Sequence, residues 1–241
     1  MTDWLQRSEL LIKKEGLETL KNAKVLVVGL GGVGSFAAEF LARAGVGNMT
    51  IVDGDIVDIT NINRQLPALH STVGKDKVEI VAERILDINP EINLVKINEF
   101  LSPERMGEIL EENKFDYVLD CIDSVSPKLA LIKACRRRKI KLVSSMGAGG
   151  KTDPSKVLVR DLSKTNNCYL AKQIRKRLKK EGITKGFRCV FSTEIQKEES
   201  LKLTDGSNFK KSFYGTISFM PALFGLNAAA EVINSLLKSE K

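Results

Sequence analysis

The sequence predicts an α/β fold: a mostly parallel sheet with helices on both faces, extended by a smaller C-terminal strand and helix region. Short β-branched apolar runs alternate with amphipathic segments through the first 150 residues, which is typical of parallel strands buried on both faces. A glycine-rich turn follows the first apolar run, as it does in Rossmann-like folds. The chain has 241 residues, 43% of them hydrophobic, and is long enough to bury a sizeable core.

Residues 1–150 are expected to form the alternating part of the fold. An amphipathic helix over residues 8–22 places Leu11, Leu17 and Leu20 on one face. The predicted strands cover residues 24–30, 48–53, 92–100, 115–123 and 140–147, and the helices between them cover 33–45, 74–89, 103–110 and 126–139.

Residues 151–241 break this alternation and are predicted to be a C-terminal extension integrated in the same domain. An isolated strand over 156–162, a basic helix, a short strand near 188–194, a polar loop and an apolar helix are expected in turn. Pro221, Asn227 and Glu231 interrupt the last apolar stretch, which favours a helix packed in a protein core over a membrane span. The polar start shows no basic-then-apolar leader, so a cytoplasmic protein is expected.

Charge and cysteine content narrow the classes of function. The net charge of +8 is concentrated in residues 133–141 and 172–188. Such clusters favour a polyanionic partner, although a solvated basic surface explains either cluster alone equally well. The four cysteines form no CxxC pair, so neither a zinc site nor a redox motif is expected. Cys168, in a polar segment, is the candidate thiol nucleophile, with a bystander thiol as the simpler interpretation.

The turn after the first strand has the glycine pattern of a nucleotide site. Gly29, Gly31 and Gly34 form GxGxxG between a predicted strand and a predicted helix, where small residues let phosphates approach the backbone. Asp53 ends the second strand, where a carboxylate can accept hydrogen bonds from ribose hydroxyls. Up to this residue an NAD-dependent oxidoreductase fits the sequence.

The residues after Asp53 favour ATP. Asn61 and Arg64 in NINRQ and Lys77 in VGKDK supply polar and cationic groups suited to a triphosphate. Asp123 ends the fourth predicted strand, at the edge where open parallel sheets bind ligands, and a carboxylate there can hold Mg²⁺. A simpler interpretation makes Asp123 the cap of the following helix. The sequence therefore predicts a site for ATP and Mg²⁺.

Four ordered motifs resemble the ubiquitin-activating-enzyme-like family of ThiF/MoeB-type adenylating enzymes. They are GxGGxG at 29–34, DxDxVxxxNxNRQ at 53–65, GxxK at 74–77 and the second aspartate of DCIDS. The resemblance implies that Asp53 contacts the ribose, and it assigns catalytic roles to Arg7, Arg64, Lys77 and Asp123. Asp123 would also bind Mg²⁺, and Arg7, otherwise an ordinary surface arginine, would reach the neighbouring site of a homodimer. The implied nucleotide-binding residues are Gly29, Gly31, Gly32, Gly34, Asp53, Asp55, Asn61, Arg64, Gln65, Lys77 and Asp123.

Longer segments, including TNINRQ, VSSMGAGGKTDPSKV and VFSTE, resemble the branch of this family that acts on N6-threonylcarbamoyladenosine in tRNA. This resemblance implies ATP-dependent adenylation of the threonyl carboxylate, followed by ring closure and net loss of water. The two basic clusters would bind tRNA phosphates. The residues expected to do so are Arg136, Arg137, Arg138, Lys172, Arg175, Lys176 and Arg177. A sulfur-relay protein is a further candidate partner.

Two other functions stay open at this stage. An activator that adenylates the C-terminal Gly-Gly of a ubiquitin-like or sulfur-carrier protein would share the ATP site and differ in its acceptor. A nucleotide-regulated RNA-binding scaffold would keep the fold without turnover, although the full set of ATP residues disfavours it.

Overall fold

The computed structural model describes residues 3–203 and 212–238. A seven-stranded sheet has the order β3-β2-β1-β4-β5-β7-β6 and is parallel except for the antiparallel pair of β6 and β7. These strands are β1 (Lys24–Val28), β2 (Asn48–Val52), β3 (Asn93–Ile97), β4 (Tyr117–Asp120), β5 (Lys141–Ser145), β6 (Val157–Asp161) and β7 (Arg188–Ser192). The predicted fold class is confirmed.

Helices cover both faces of the sheet. They are α1 (Gln6–Asn22), α2 (Gly34–Arg43), α3 (Lys77–Ile88), α4 (Pro103–Glu112), α5 (Val125–Arg137), α6 (Tyr169–Lys179) and α7 (Phe219–Lys238). One buried cluster, with Leu41 and Phe224, joins α1, α2, α3 and α7 to the sheet. A second cluster, with Ile109 and Ile174, joins α4, α5 and α6 to the opposite face.

The expectation of an isolated strand at 156–162 is wrong. β6 pairs antiparallel with β7 along its whole length, from Val157 opposite Ser192 to Asp161 opposite Arg188. The two strands therefore extend the sheet beyond β5. The segment between β5 and β6 contains only a short 3-10 helix, Pro154–Lys156. It is too short for the crossover of a dozen or more residues that a parallel strand would need, so β6 runs opposite to β5.

Helix α1 contains a break that the sequence pattern does not reveal. Lys13 has φ +65° and ψ 175°, outside the helical region, and this interrupts the helix after two turns. The prediction that Leu11 shares a buried face with Leu20 is wrong: Leu11 is 83% exposed and Leu20 is 1% exposed. The break at Lys13 rotates the first part of the helix out of the register that buries the second part.

The apolar C-terminal helix packs in the core, as expected. By length and composition alone α7 could cross a membrane. Its residues Met220, Phe224 and Val232 are nevertheless fully buried. A Cβ on Gly225 would lie 2.4 Å from the carbonyl oxygen of Val33, so α7 approaches the start of α2 as closely as a backbone allows.

The segment predicted as a polar loop contains a short hairpin. β8 (Leu201–Leu203) pairs antiparallel with β9 (Ser212–Tyr214), and residues 204–211 lie outside the described residues. The hairpin is tied to the loop after β5 because the amide of Gly150 donates to the carbonyl oxygen of Gly215 at 2.8 Å.

The strand order places a crevice at one point of the sheet. From β1, the chain proceeds to β2 and β3 on one side and to β4 and β5 on the other. Open parallel sheets bind ligands at such a reversal, outside the carboxyl ends of the strands. The turns that follow β1, β2 and β4 carry residues 29–34, Asp53 and Asp123, and so bring three predicted motifs together.

Candidate nucleotide site

Two positions of the glycine turn cannot hold a side chain. Gly29 has φ +89°, in the left-handed region that glycine adopts without strain. A Cβ on Gly34 would lie 1.7 Å from the carbonyl oxygen of Gly29. Helix α2 therefore starts directly against the end of β1, and its N-terminal amides lie where a phosphate can approach.

Asp53 is held beside the glycine turn by two backbone amides. Its Oδ2 accepts a hydrogen bond from the amide of Leu30 at 2.5 Å, and its Oδ1 accepts one from the amide of Asp55 at 2.9 Å. Burial raises the pKa of Asp53 above its usual value, and the amides and the charge of Lys77 oppose that rise. The carboxylate oxygens of Asp53 retain lone pairs that can accept hydrogen bonds from ribose hydroxyls.

The turn at residues 58–65 is organised around Asn61. Its Oδ1 accepts the amide of Asp58 at 3.2 Å, while Asp58 Oδ1 accepts the amide of Thr60 at 2.8 Å. The main-chain carbonyl oxygen of Asn61 accepts the amides of Arg64 and Gln65, both at 3.0 Å. Asn61 thus shapes the turn that presents Arg64, and its side-chain amide nitrogen is the group that can meet a phosphate.

Arg64 is half-buried at the end of this turn. Its Nη1 donates to the carbonyl oxygen of Thr60 and to Asn63 Oδ1, both at 2.9 Å. Burial lowers the pKa of the guanidinium from its usual value, and attraction to Asp123 offsets part of that effect. Arg64 and Asp123 therefore lie within electrostatic range of each other, and the guanidinium has further N–H groups for a phosphate.

Lys77 begins α3 and is 4% exposed. Its Nζ forms a 2.5 Å salt bridge with Asp55 Oδ2, and its backbone amide donates to the carbonyl oxygen of Asp55 at 3.1 Å. Asp55, a predicted nucleotide contact, is thus the residue that anchors Lys77. A phosphate that reaches Lys77 must share the ammonium with Asp55 or displace it.

Asp123 lies exposed in the loop after β4. The hydroxyl of Ser124 donates to Asp123 Oδ1 at 3.3 Å, and Ser124, not Asp123, occupies the N-cap position of α5. Across the described residues, no three His, Cys, Asp or Glu side chains group into a metal site. An exposed carboxylate such as that of Asp123 is the type of ligand that proteins use to bind Mg²⁺ together with substrate phosphates and water.

Gln65 lies over the glycine turn. A Cβ on Gly31 would be 3.6 Å from Gln65 Nε2. Gln65 Oε1 is buried and has no hydrogen-bond partner among the described residues. A buried acceptor left unpaired is costly, so a donor on a ligand bound at the turn would stabilise it.

Arg7 lies apart from these groups in sequence and in the fold. It is exposed on α1, ahead of the break at Lys13. Leu10 and Leu11 of the same segment are 81% and 83% exposed. The role of Arg7 across a dimer remains a prediction.

Three of the seven predicted RNA-binding residues make hydrogen bonds inside the chain. Arg136 and Arg138 donate to main-chain carbonyl oxygens of other elements. Arg175 donates to the carbonyl oxygen of Thr165 at 2.8 Å. The four that are exposed are Arg137, Lys172, Lys176 and Arg177.

An exposed face of α6 collects basic residues around one aromatic ring. Tyr169 is 60% exposed at the start of the helix, and it lines a shallow groove with the basic residues. No motif marks Tyr169 in the sequence, although its spacing from Lys172 and Lys176 places all three on one helical face. We refer to this surface as the α6 basic face; it consists of Tyr169, Lys172, Gln173, Lys176, Arg177 and Lys180.

Residues suited to a ribose and to several phosphates lie together where β1, β2 and β4 end. The fold and this site are those of Rossmann-like proteins that bind nucleoside triphosphates. Within that class, a family model described as the ThiF family matches residues 5–241, and the chain belongs to this family.

Relatives with established names resemble the chain over most of its length. The tRNA threonylcarbamoyladenosine dehydratase of Bacillus subtilis is 45% identical over 245 residues, covering 99% of this chain and 96% of the relative. A crystal structure of the E. coli tRNA N6-threonylcarbamoyladenosine dehydratase in complex with ATP superposes with a TM-score of 0.89 at 39% identity, covering 100% of this chain and 97% of that one. The molybdopterin-synthase adenylyltransferase of E. coli is 41% identical over 130 residues, 54% of this chain and 51% of that protein.

Proposed function

We propose that this protein is an ATP-dependent enzyme that dehydrates N6-threonylcarbamoyladenosine in tRNA. The observation that carries the proposal is the extent of the similarity. Relatives named for that reaction match the whole chain, including the C-terminal extension with β6, β7 and α7. The molybdopterin-synthase adenylyltransferase matches little more than half of it. Similarity over the full length, and not over half of it, favours a tRNA acceptor.

The proposed reaction has two steps. A carboxylate oxygen of the threonyl group attacks the α-phosphorus of ATP, and pyrophosphate leaves. A nucleophilic atom of the neighbouring carbamoyl group then attacks the acyl carbon, a proton is released and AMP leaves with the former carboxylate oxygen. The modified nucleoside closes a ring and loses one water overall. The substrate supplies both nucleophiles, so the chain contributes positioning and charge stabilisation.

The residues of the site fit those tasks. Asp53 would hold the ribose, and Gln65 Oε1 would accept a hydrogen bond from one of the ribose hydroxyls. The amides at the start of α2 would bind phosphate oxygens. Arg64 and Lys77 would offset negative charge as pyrophosphate departs, Arg64 through two parallel hydrogen bonds and Lys77 as a point charge.

Magnesium is part of the proposal. Asp123 is an exposed carboxylate within electrostatic range of Arg64, and it would hold Mg²⁺ together with phosphate oxygens of the nucleotide. The ion would supply further positive charge to the phosphates.

The tRNA is proposed to contact the α6 basic face and Arg137. Lysine and arginine bind phosphates, and an exposed tyrosine can stack on an unpaired base. Arg137 lies at the end of α5, about 18 Å along the helix from the end nearest Asp123 at 1.5 Å per residue. This distance suits a contact with the tRNA backbone several nucleotides away from the reacting one.

A homodimer and a cytoplasmic location are also proposed. Leu10 and Leu11 expose an apolar surface next to Arg7, as expected of a segment covered by a second copy. A cytoplasmic location suits an enzyme that acts on tRNA, and a sulfur-relay partner is implied by the family resemblance.

The first experiment is mass spectrometry of nucleosides from threonylcarbamoylated tRNA after incubation with the protein, ATP and magnesium. We expect the modified adenosine to lose the mass of one water only when ATP is present. Asp123→Asn should abolish the change, and Asp87→Asn, at an exposed position on α3, is the matched control. An unchanged nucleoside with intact protein and tRNA would favour the activator of a protein Gly-Gly terminus.

A further inference from the structure

A charged pair lies fully buried beneath the loop that carries Asp123. Lys128 and Asp120 are both 0% exposed, and their side chains meet at 2.8 Å between Nζ and Oδ2. Lys128 Nζ also donates to the carbonyl oxygen of Ser145 at 2.9 Å. Ser144 Oγ donates to Asp120 Oδ2 at 2.6 Å. The network joins the ends of β4 and β5 to the first turns of α5.

Asp120 and Lys128 fix both ends of the Asp123 loop. On the strand side, Asp120 Oδ1 accepts the amide of Ile122 at 3.1 Å, which sets the direction of the chain immediately before Asp123. On the helix side, the Lys128 side chain ties the first turn of α5, whose N-cap Ser124 directly follows Asp123, to Asp120 and to the carbonyl oxygen of Ser145. The ion pair between Asp120 and Lys128 therefore links the two ends of the loop between β4 and α5.

Stability alone gives a weak reason for such a pair. Removing two charges from water is costly, and apolar residues of similar volume are often equally or more stabilising at such positions. Apolar side chains of the same elements, Leu131, Ile132 and Leu142, are buried in the core cluster on this face of the sheet. A polar network placed under a ligand-binding loop can instead restrict the loop to one geometry.

We propose that Lys128, through Asp120, is a positioning residue that holds the Asp123 loop in the geometry needed to bind Mg²⁺ with ATP. The inference rests on the proposed role of Asp123. Lys128 touches neither nucleotide nor metal, and it acts by keeping the carboxylate of Asp123 where a phosphate-bound ion can reach it. Loss of the pair should therefore weaken the metal-dependent part of ATP binding selectively.

The test compares ATP affinity in excess magnesium with ATP affinity in EDTA, by calorimetry on folded protein at a temperature well below unfolding. The ratio of the two affinities is the magnesium increment. We expect Lys128→Met to reduce this increment about tenfold, which corresponds to about 1.4 kcal/mol. Affinity in EDTA should change less than about twofold, because the glycine turn, Asp53 and Lys77 are untouched.

A matched control separates positioning from general destabilisation. Leu131 lies one turn further along α5 and is also 0% exposed. Leu131→Ala should lower the stability by an amount comparable with the loss on breaking a buried ion pair. Its magnesium increment should remain that of the wild type. An equal loss of increment in Leu131→Ala would overturn the proposal.

A double-mutant cycle with Asp123→Asn adds a readout that a purely structural role would not move. If Lys128 acts through Asp123, Lys128→Met should cause no further loss of increment once Asp123 is replaced. If Asp123→Asn alone leaves the increment intact, the proposed magnesium role itself is wrong. If Asp123→Asn lowers the increment and Lys128→Met does not, that role stands and the inference is wrong.

Two milder variants keep the test decisive if Lys128→Met does not fold. The double variant Asp120→Asn, Lys128→Met leaves no unpaired charge. It should lose the magnesium increment to the same extent as Lys128→Met alone. Ser144→Ala keeps both charges and removes one donor to Asp120; about a threefold loss of increment is expected, corresponding to about 0.65 kcal/mol. If the variants that fold keep the magnesium increment of the wild type, the proposal is wrong.

Discussion

At the scale of single residues, Arg64 is the side chain whose geometry matters most for charge stabilisation. One nitrogen is committed to Thr60 and Asn63, and the others remain for phosphate. Lysine cannot hold the turn and bind a phosphate through two parallel bonds at once. Arg64→Lys should therefore lower ATP-dependent turnover about 100-fold or more, a loss of about 2.7 kcal/mol or more in transition-state stabilisation. Arg64→Ala should abolish it.

The measurement is the rate of nucleoside dehydration, with tRNA affinity determined in parallel. Affinity for tRNA should be unchanged in both Arg64 variants. Arg43→Ala is the matched control, because Arg43 is also an arginine paired within the chain, with Glu39 on α2. Normal turnover in Arg64→Ala would show that the assignment of the phosphate site is wrong.

The cysteines give a second prediction at this scale. Burial raises the pKa of Cys121 and of Cys135 to about 12, and it raises the pKa of the Cys189 thiol as well. Cys168, the sequence candidate for a thioester, is 4% exposed. A buried thiol is a poor acceptor of a tRNA-linked acyl group, and the proposed reaction needs none.

Cys168→Ser should therefore keep at least about half of the wild-type rate, a change in barrier of less than about 0.5 kcal/mol. The rate of nucleoside dehydration checks this, with circular dichroism to confirm the fold. Complete loss of dehydration in folded Cys168→Ser would instead favour a covalent thioester step on Cys168.

Some of these residues could be predicted from the sequence and others could not. Gly34 and Asp53 follow from motif spacing, because a strand, a tight turn and a helix leave their backbone positions little freedom. The pairing of Lys77 with Asp55 depends on how the intervening loop folds back. Lys128 lacks any motif, and only its buried position on α5 reveals it.

At the scale of elements, the α6 basic face gives a prediction about tRNA binding. Lys172, Lys176 and Arg177 are exposed, whereas Arg175 is tied to Thr165. Each phosphate contact contributes to the salt dependence of binding. Replacing the three exposed residues with alanine should weaken tRNA binding and lower the slope of log affinity against log salt by about 2 to 3.

Filter binding across a fourfold range of salt checks this prediction. The matched control replaces three other exposed lysines, Lys21, Lys24 and Lys114, with alanine and should leave the slope within about 1 of the wild type. ATP affinity without tRNA should be normal in both proteins. If the slope of log affinity against log salt is the same in both triple variants, α6 is not part of the surface that binds tRNA.

Elements were predictable where local pattern and tertiary context agree. The parallel strands β1, β2, β4 and β5 each contain a short apolar run, and nearly all of their residues are buried on both faces, which is the pattern expected of parallel strands. The break in α1 was not predictable, since Lys13 adopts a positive φ without being glycine. The pairing of β6 was missed because antiparallel addition at a sheet edge leaves no signal in the strand itself.

At the scale of the whole molecule, the C-terminal extension is part of the site's scaffold. β6 and β7 extend the same sheet, and α7 packs against α2, the helix that begins at the glycine turn. A Cβ on Gly32 would lie 2.9 Å from Cβ of Pro221 in α7. The nucleotide turn is thus supported by α7. Substitutions in α7 should therefore affect ATP binding as well as stability.

The proposed homodimer leads to a test of shared sites. If Arg7 acts on the neighbouring site, Arg7→Ala and Arg64→Ala should each be inactive as pure proteins. A mixed dimer would hold one intact site, with Arg64 from one copy and Arg7 from the other. After random exchange about half of the dimers are mixed, so about a quarter of all sites should regain activity.

Dehydration rates of the pure and mixed proteins, measured after subunit exchange, check this prediction. The matched control mixes Arg64→Ala with Asp123→Ala. Both residues belong to the same chain's site, so every site in that mixture lacks one of them and no activity should return. Recovery in the first mixture alone would place Arg7 across the dimer. If Arg7→Ala is fully active by itself, Arg7 is an ordinary surface arginine and the exposed Leu10 and Leu11 segment serves association without catalysis.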